Sequence, residues 1–439
     1  MKRKKKLQKK NKLFILSYLE DKVYSADIFC KKNGEYTRIK SNDNSYSNND
    51  FKKNKKNKNK NKKHQIRIIL LPIITIFLII SIYILILHKN YAKKDENILP
   101  SKIDIDKTIK SNKKRIGVVG ISNGQNVGNL LVKFSMFNLL KEYGFDPIIL
   151  SKTRQNNNIY FLEKTVKLRV INNSFSELNE DDYDILMVNS DQTWSFSDRK
   201  TFYDYALLKF AEKWNVPKFI YGACMGNDRW FLHNEENRMA RKLLKNFTGI
   251  SFREIETVRI VERYLDLKSE FVLDPTFLLD INYYLEIIKN YKRDFNFNEK
   301  YIMVYQLDKN EIINHFIKEV SNKLQYKIYN ATINDEYYIE NFLFGINISQ
   351  GIITDSYHGT VFSIIFNKPF VSYVNVNRGK SRFDSLKETF NLRDRIITPK
   401  VNEKADVNLL LEPLNINQTL LNELKINSIN FLKKNLGIF

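Results

Sequence analysis

Short apolar runs that end abruptly in polar clusters, each cluster leading into a helical pattern, confine a chain to few architectures, and this chain repeats that arrangement along most of its length. Arg115 to Gly120 reads as a buried strand entering Ser122 to Asn129, then a helix carrying Leu130, Leu131, Phe134, Phe137, Leu139 and Leu140. Tyr183 to Val188 is a second strand, closed by Asn189-Ser-Asp-Gln-Thr-Trp194. Ile250-Ser-Phe-Arg-Glu254 precedes a helix, and Phe271 to Leu279 follows it. Further on, a strand over 301–306, a helix over 309–323 and a strand over 326–330 lead to Ile352-Ile353, the polar block Thr354-Asp-Ser-Tyr-His-Gly-Thr360 and an apolar helix from Val361 to Phe366. Such alternation predicts parallel sheets with helices on both faces, whose ligands bind beyond the carboxyl ends of the strands.

Taken in order, these polar ends form a pattern: a Gly/Asn-rich first loop, Ser-Asp-Gln with Trp194, Ser-x-Arg-Glu at 251–254, Asp-Pro-Thr at 274–276, Thr-Asp-Ser-Tyr-His-Gly at 354–359, a Lys-Pro-Phe strand at 368–370, and Arg378-Gly-x-Ser-Arg382. The set resembles the polysaccharide pyruvyl transferase family over roughly residues 113 to 400. Two departures stand out. Asn189 occupies a usual glycine position, and Ala223-Cys-Met-Gly226 replaces a more usual Ala-Ser-Phe-Gly. The resemblance implies two Rossmann-like lobes in a GT-B-like arrangement and transfer of pyruvate from phosphoenolpyruvate to a sugar, with no further cofactor.

The residues carry roles compatible with that chemistry. His358, one of five histidines, has an ordinary pKa near neutrality and sits where a helix N-terminus favours an anion, so the resemblance gives it general acid/base duty with Asp355. The bland alternative is a helix cap with a satisfied histidine. Asp355 either orients His358 or caps the helix. Arg253 ends a strand, and its planar fork suits the carboxylate or phosphate of a donor; the competing use is a salt bridge to Glu254 or Glu256. Backbone amides near Tyr357 and Gly359, with Arg382, complete the expected donor pocket. On the acceptor side stand Asn126, Asp191, Gln192 and Trp194, an acid and amides for hydroxyls beside an aromatic platform. The competing reading makes Trp194 core and Asp191 a cap. The loop at 122–129 does not match the full dinucleotide fingerprint, and no Cys/His/Asp cluster has metal-ligand spacing, so neither NAD nor a metal is expected.

The formal charge of +23 suggests nucleic acid until it is located. Eight Lys/Arg fall in the first 13 residues, and eight lysines interleave with asparagine between Lys52 and Lys63. These tracts lack a fold to place them in a groove, so nucleic-acid binding is not expected. Ile68 to Leu87 is 20 residues without a charge, the length of a membrane-spanning helix. A cleaved signal is disfavoured by the 67 residues before it. Nine basic residues over 52–67 against five over 89–107 place the N-terminus on the cytoplasmic side, leaving the side of the catalytic part open. The two cysteines, Cys30 and Cys224, imply no disulfide framework.

The expected organisation is a basic, largely disordered region over 1–67, with a small unassigned element within 14–39; a transmembrane helix over 68–87; a stalk over 88–112; an acceptor-side α/β lobe over 113–285; and a donor-side α/β lobe over 286–439 that ends in a helix packing back on the first lobe. The leading functional reading is a membrane-anchored pyruvyl transferase acting on a polysaccharide or glycan. A GT-B glycosyltransferase using a nucleotide sugar, or a degenerate glycan-binding module, are the alternatives.

Overall fold

The computed structural model describes residues 29–32, 35–38, 113–120, 126–150, 169–171, 175–194, 199–291, 295–296, 298–331, 338–399 and 405–438. The chain divides into two compact units, Met1–Thr108 and Ile109–Phe439. In the first, β1 (Phe29–Lys32) and β2 (Glu35–Arg38) form an antiparallel hairpin, inside the segment the sequence left unassigned. The expected membrane helix and stalk lie outside the described residues; among the described residues, no helix is long and apolar enough to cross a membrane.

The second unit holds two parallel sheets. The first has seven strands in the order β5-β4-β3-β6-β7-β8-β9: β3 (Arg115–Val119), β4 (Asp146–Leu150), β5 (Arg169–Ile171), β6 (Ile185–Val188), β7 (Lys218–Ala223), β8 (Gly249–Phe252) and β9 (Glu270–Phe271). The second has five, ordered β11-β10-β12-β13-β14: β10 (Tyr301–Tyr305), β11 (Lys327–Asn330), β12 (Gly351–Thr354), β13 (Phe370–Tyr373) and β14 (Ile396–Ile397). Strands buried along their whole length, such as Ile-Leu-Met-Val in β6, read as unbroken apolar runs because helices cover both faces.

Strand order reverses between β3 and β6 in the first sheet and between β10 and β12 in the second, and a doubly wound sheet opens its ligand crevice at such a reversal. Two of the sequence's polar clusters leave β6 and β12 at these reversals, and Arg253 and Asp274 follow β8 and β9 further along the first sheet. Five helices position them: α1 (Val127–Glu142), α2 (Ile255–Leu265), α3 (Tyr357–Ile365), α4 (Lys380–Phe390) and α5 (Gln418–Leu436).

The two lobes share one apolar core. Tyr284 sits edge-on to Phe362 of α3 with ring centroids 5.0 Å apart, lies 6.1 Å from Phe134 of α1, and shares a hydrogen bond with Ser135 at 2.7 Å. This packing brings α1 and α3, one from each crevice, side by side. As the sequence predicted, α5 returns to the first lobe: Leu273 N donates to Ser428 Oγ at 2.9 Å, and Thr248 Oγ1 donates to Asn435 Oδ1 at 2.8 Å.

Candidate functional site

Where the crevices meet, buried charges are wired in series. Arg253 leaves β8 with a side chain fully excluded from solvent. Its Nη1 pairs with Asp274 and donates to Ser190 Oγ at 3.3 Å, while its Nη2 donates to Asp191 Oδ1 at 2.9 Å. The other oxygen of Asp191 accepts from Asn129 Nδ2, and Asn129 Oδ1 accepts from Lys133 one turn further along α1. Asp274 also accepts from Thr276 N at 3.0 Å and Thr276 Oγ1 at 2.7 Å. Asp191 adopts a φ of 132°, a conformation L-residues rarely take and one that surrounding structure must enforce. Its carbonyl, accepting from Thr193 N at 2.7 Å and Cys224 N at 3.0 Å, ties it to both sides.

The electrostatics follow from this wiring. Burial works against an ionised Asp274 and an ionised Asp191, but the Arg253 guanidinium and His358 outweigh it and hold both carboxyls below the usual range. Burial also works against the charged Arg253, yet the surrounding acidic groups fix it as a cation. Lys133, buried on α1, falls to about 8 because desolvation exceeds the pull of Asp191. The Cys224 thiol is pushed up to about 12 by burial, which makes it a poor nucleophile.

His358, in the first turn of α3, points its Nε2 at Asp274 Oδ2 at 3.6 Å, beyond hydrogen-bond reach, and Nε2 has no other partner. Burial lowers its pKa, and Asp274 only partly opposes this. Gly128 of α1 lies flat against the imidazole, where any Cβ would overlap the ring. That contact explains one glycine of the Gly/Asn-rich loop by close approach rather than by ligand binding.

The Tyr357 ring lies between two guanidiniums, with Arg253 Cζ 4.9 Å and Arg382 Cζ 5.1 Å from its centroid. They differ in pairing. Arg382, on α4, donates to the carbonyl of Arg378 at 2.5 Å, and its buried Nε has no partner. The buried Nε of Arg253 also lacks a partner, but Arg253 pairs with two carboxylates, whereas Arg382 pairs with none among the described residues.

Several sequence expectations are corrected. Arg253 pairs with neither Glu254 nor Glu256, and its terminal nitrogens are already occupied by Asp274, Ser190 and Asp191. Glu254 instead accepts from Met225 N at 3.0 Å, Gly226 N at 3.1 Å and Ser381 Oγ at 3.0 Å, so it fastens α4 to the first lobe. Asp355 takes neither role offered to it: Asp274 is the acid facing His358, and Ser356 is the helix cap. Its carboxylate accepts from Leu307 N at 2.7 Å and Asp308 N at 2.9 Å, joining the ends of β10 and β12, and burial raises its pKa. Trp194 is fully buried, edge-on to Phe202 and Phe252 at 5.7 and 4.7 Å, and offers no platform to a sugar. The Gly359 amide donates to Ser356 Oγ at 3.3 Å and so closes the cap. Asn126 also caps, its Oδ1 accepting from Gly128 N at 2.9 Å. Gln192 remains half-buried beside Asp191.

Sequence reasoning missed Asn129, Lys133, Ser190 and Asp274. The signal for Lys133 was its charge among apolar neighbours on a buried helix, and Asp274 lay within a recognised motif without a role.

A family model for polysaccharide pyruvyl transferase matches residues 126–377, more than half of the 439-residue chain. The chain belongs to the polysaccharide pyruvyl transferase family. Its members are glycan-modifying transferases, and the match takes in the whole charged cluster except Arg382. No curated protein matches the chain. Among solved structures, it is similar to UDP-GlcNAc 2-epimerase from Neisseria meningitidis bound to UDP-GlcNAc (12% identity, 73% of this chain, 100% of that chain, TM-score 0.48). It is also similar to Anabaena Alr3699/HepE in complex with UDP and glucose (11% identity, 73% of this chain, 95% of that chain, TM-score 0.44).

Proposed function

We propose that this transferase uses phosphoenolpyruvate to form a pyruvate ketal on a sugar of a polysaccharide or glycan. The observation that carries the reading lies beside the Tyr357 ring: a buried arginine without a carboxylate partner among the described residues, close to a buried histidine whose Nε2 lacks a hydrogen bond. A buried cation left without an acid is costly unless a ligand supplies the anion. Phosphoenolpyruvate brings a phosphate and a carboxylate. In this reading Arg382 binds one of them, and Arg253 acts mainly by fixing Asp191 and Asp274.

The chemistry needs one proton delivered and two removed. His358 protonates the methylene carbon of the donor, leaving positive charge on the adjacent carbon. Its neutral form prevails in the empty pocket because burial lowers its pKa, and the incoming anion favours its protonation. One sugar hydroxyl adds to the charged carbon; a second displaces phosphate as the carbon–oxygen bond breaks. Of the two hydroxyl protons, one restores His358 and the other departs with phosphate. Asp191, the partly exposed carboxylate of the cluster, receives the hydroxyls, its orientation set by Arg253 and Asn129.

We further propose that Ile68–Leu87 anchors the enzyme in a membrane with its basic N-terminus on the cytoplasmic side. Protease protection of tags at either end on intact membranes checks this, and a cytoplasmic tag at Phe439 overturns a catalytic part facing away from the N-terminus. For the reaction, phosphoenolpyruvate is expected to raise the melting temperature and to release phosphate only when glycan is present. Stabilisation by a UDP- or GDP-sugar in place of phosphoenolpyruvate returns the protein to nucleotide-sugar chemistry.

A further inference from the structure

A groove of about 810 Å³ runs between the lobes beside the charged cluster, walled by the segment from Gly226 to Phe231 on one side and by residues of α4 with Val376 and Asn377 on the other. That volume lies within the range of about 300–1,000 Å³ typical of ligand sites. Its inner end touches the cluster twice. Gly226, at φ 78°, lies against the Gln192 amide so closely that a Cβ would overlap it, and Gln192 adjoins Asp191. Ser381 donates to Glu254 at 3.0 Å and precedes Arg382.

The lining says what the groove accepts. Four acids (Asp228, Glu256, Asp384, Glu388) stand against three bases (Arg229, Arg259, Lys380). Arg259 pairs with Glu388 at 3.1 Å and Glu256 at 3.5 Å, and Lys380 pairs with Asp384. A polyanion therefore meets a surplus of acid and mostly occupied cations. Phe231 and Val376, 44% and 53% exposed, contribute one apolar surface from each lobe. Apolar surface beside paired charges and serine and asparagine side chains matches the chemistry of a sugar, an apolar ring face edged with hydroxyls.

We propose that this groove binds a neutral stretch of the acceptor glycan and presents its terminal sugar to Asp191, with Phe231 supplying the aromatic surface that the sequence had placed at Trp194. The proposal rests on the transferase reading above and extends it to the acceptor. Full-length protein in detergent is titrated, without donor, with short neutral oligosaccharides of hexoses and N-acetylhexosamines, and binding is followed by saturation-transfer NMR and calorimetry. Wild type is expected to bind. Phe231→Ala and Val376→Asp, both at exposed positions, are expected to weaken binding about tenfold or more while leaving stabilisation by phosphoenolpyruvate unchanged. Equal binding by both variants overturns the proposal, as does binding of acidic oligosaccharides or UDP-sugars alone. Groove-dependent glycan binding without any phosphoenolpyruvate stabilisation keeps the groove and removes the donor reading instead.

Discussion

The two strand-end crevices that meet at Tyr357 are finished to different degrees. In the first lobe, charge answers charge: Lys133, Asn129, Asp191, Arg253 and Asp274 bond one another in sequence, and the backbone of Asp191 is held at an unfavourable φ to complete the set. In the second lobe, the acid at the strand end is spent on backbone amides, His358 Nε2 lacks a hydrogen-bond partner, and Arg382 has no carboxylate partner among the described residues. Paired charges resist deformation and keep their geometry without ligand, whereas a cation without a carboxylate leaves energy to be gained when an anionic ligand arrives. The contrast assigns rigidity to the first lobe and, under the proposed reaction, donor recognition to the side of α3 and α4.

The comparison breaks most visibly at His358. His358→Gln keeps hydrogen-bonding capacity without a usable proton, so turnover is expected to fall about 10²–10⁴-fold with donor binding retained. Because its pKa is lowered in the fold, the protonated form gathers only as pH drops below about 6.5, and donor kcat/KM of the wild type should climb over that limb. The same sign governs stability. A depressed folded pKa contributes stability above the unfolded value and loses it as pH falls through the folded one, so the variant should resist mild acid better than wild type. Asp191 and Asp274, also depressed, give way at lower pH, below about 3.9. A pH–rate profile shared by variant and wild type removes His358 from proton transfer.

Arg253→Met should be a stability variant before it is a kinetic one. It strands two carboxylates, one fully buried, and breaking such pairs costs about 3–5 kcal/mol, read as a large drop in melting temperature. Arg382→Met should do the reverse. It removes a buried cation without an acidic partner, so the melting temperature should hold or rise, while the donor KM increases about 10–100-fold through loss of charge-assisted hydrogen bonds. If the two variants exchange these signatures, the division of labour between the lobes is wrong.

How much of this was legible in sequence depends on range. The strands and helices were, because burial on both faces leaves an unbroken apolar run, and local capping residues such as Asn126 and Ser356 mark helix starts. His358 and Arg253 were found because strand-end position is a local signal. Their partners were not: Arg253 meets Asp191 and Asp274, 62 and 21 residues away in sequence, in preference to the adjacent Glu254. Trp194 failed for a related reason, since the aromatics that bury it, Phe202 and Phe252, come from separate segments. The Ser-Asp-Gln motif nevertheless pointed to Asp191, which the structure places in the buried charged cluster.

The smallest expected effect discriminates most finely between a network that merely stabilises and one that orients. Lys133 is buried in α1 and its pKa falls to about 8, so its charge is held at a desolvation cost. Lys133→Met keeps the length and packing of the side chain and removes the desolvation cost, and replacing buried charge by an apolar group of similar volume is often neutral or stabilising. The melting temperature should therefore stay or rise. Yet the ammonium donates to Asn129 Oδ1 and so favours the orientation that turns its amide toward Asp191; a flipped amide would set oxygen against carboxylate. Acceptor kcat/KM should then fall by about tenfold, roughly the worth of one hydrogen bond to a charged group, while the donor KM stays unchanged. Asn129→Asp should reproduce the loss with Lys133 intact, since it places a second carboxylate beside Asp191. Full activity in both variants would reduce the chain from Lys133 to Asp191 to packing and leave Arg253 alone to orient the acceptor side.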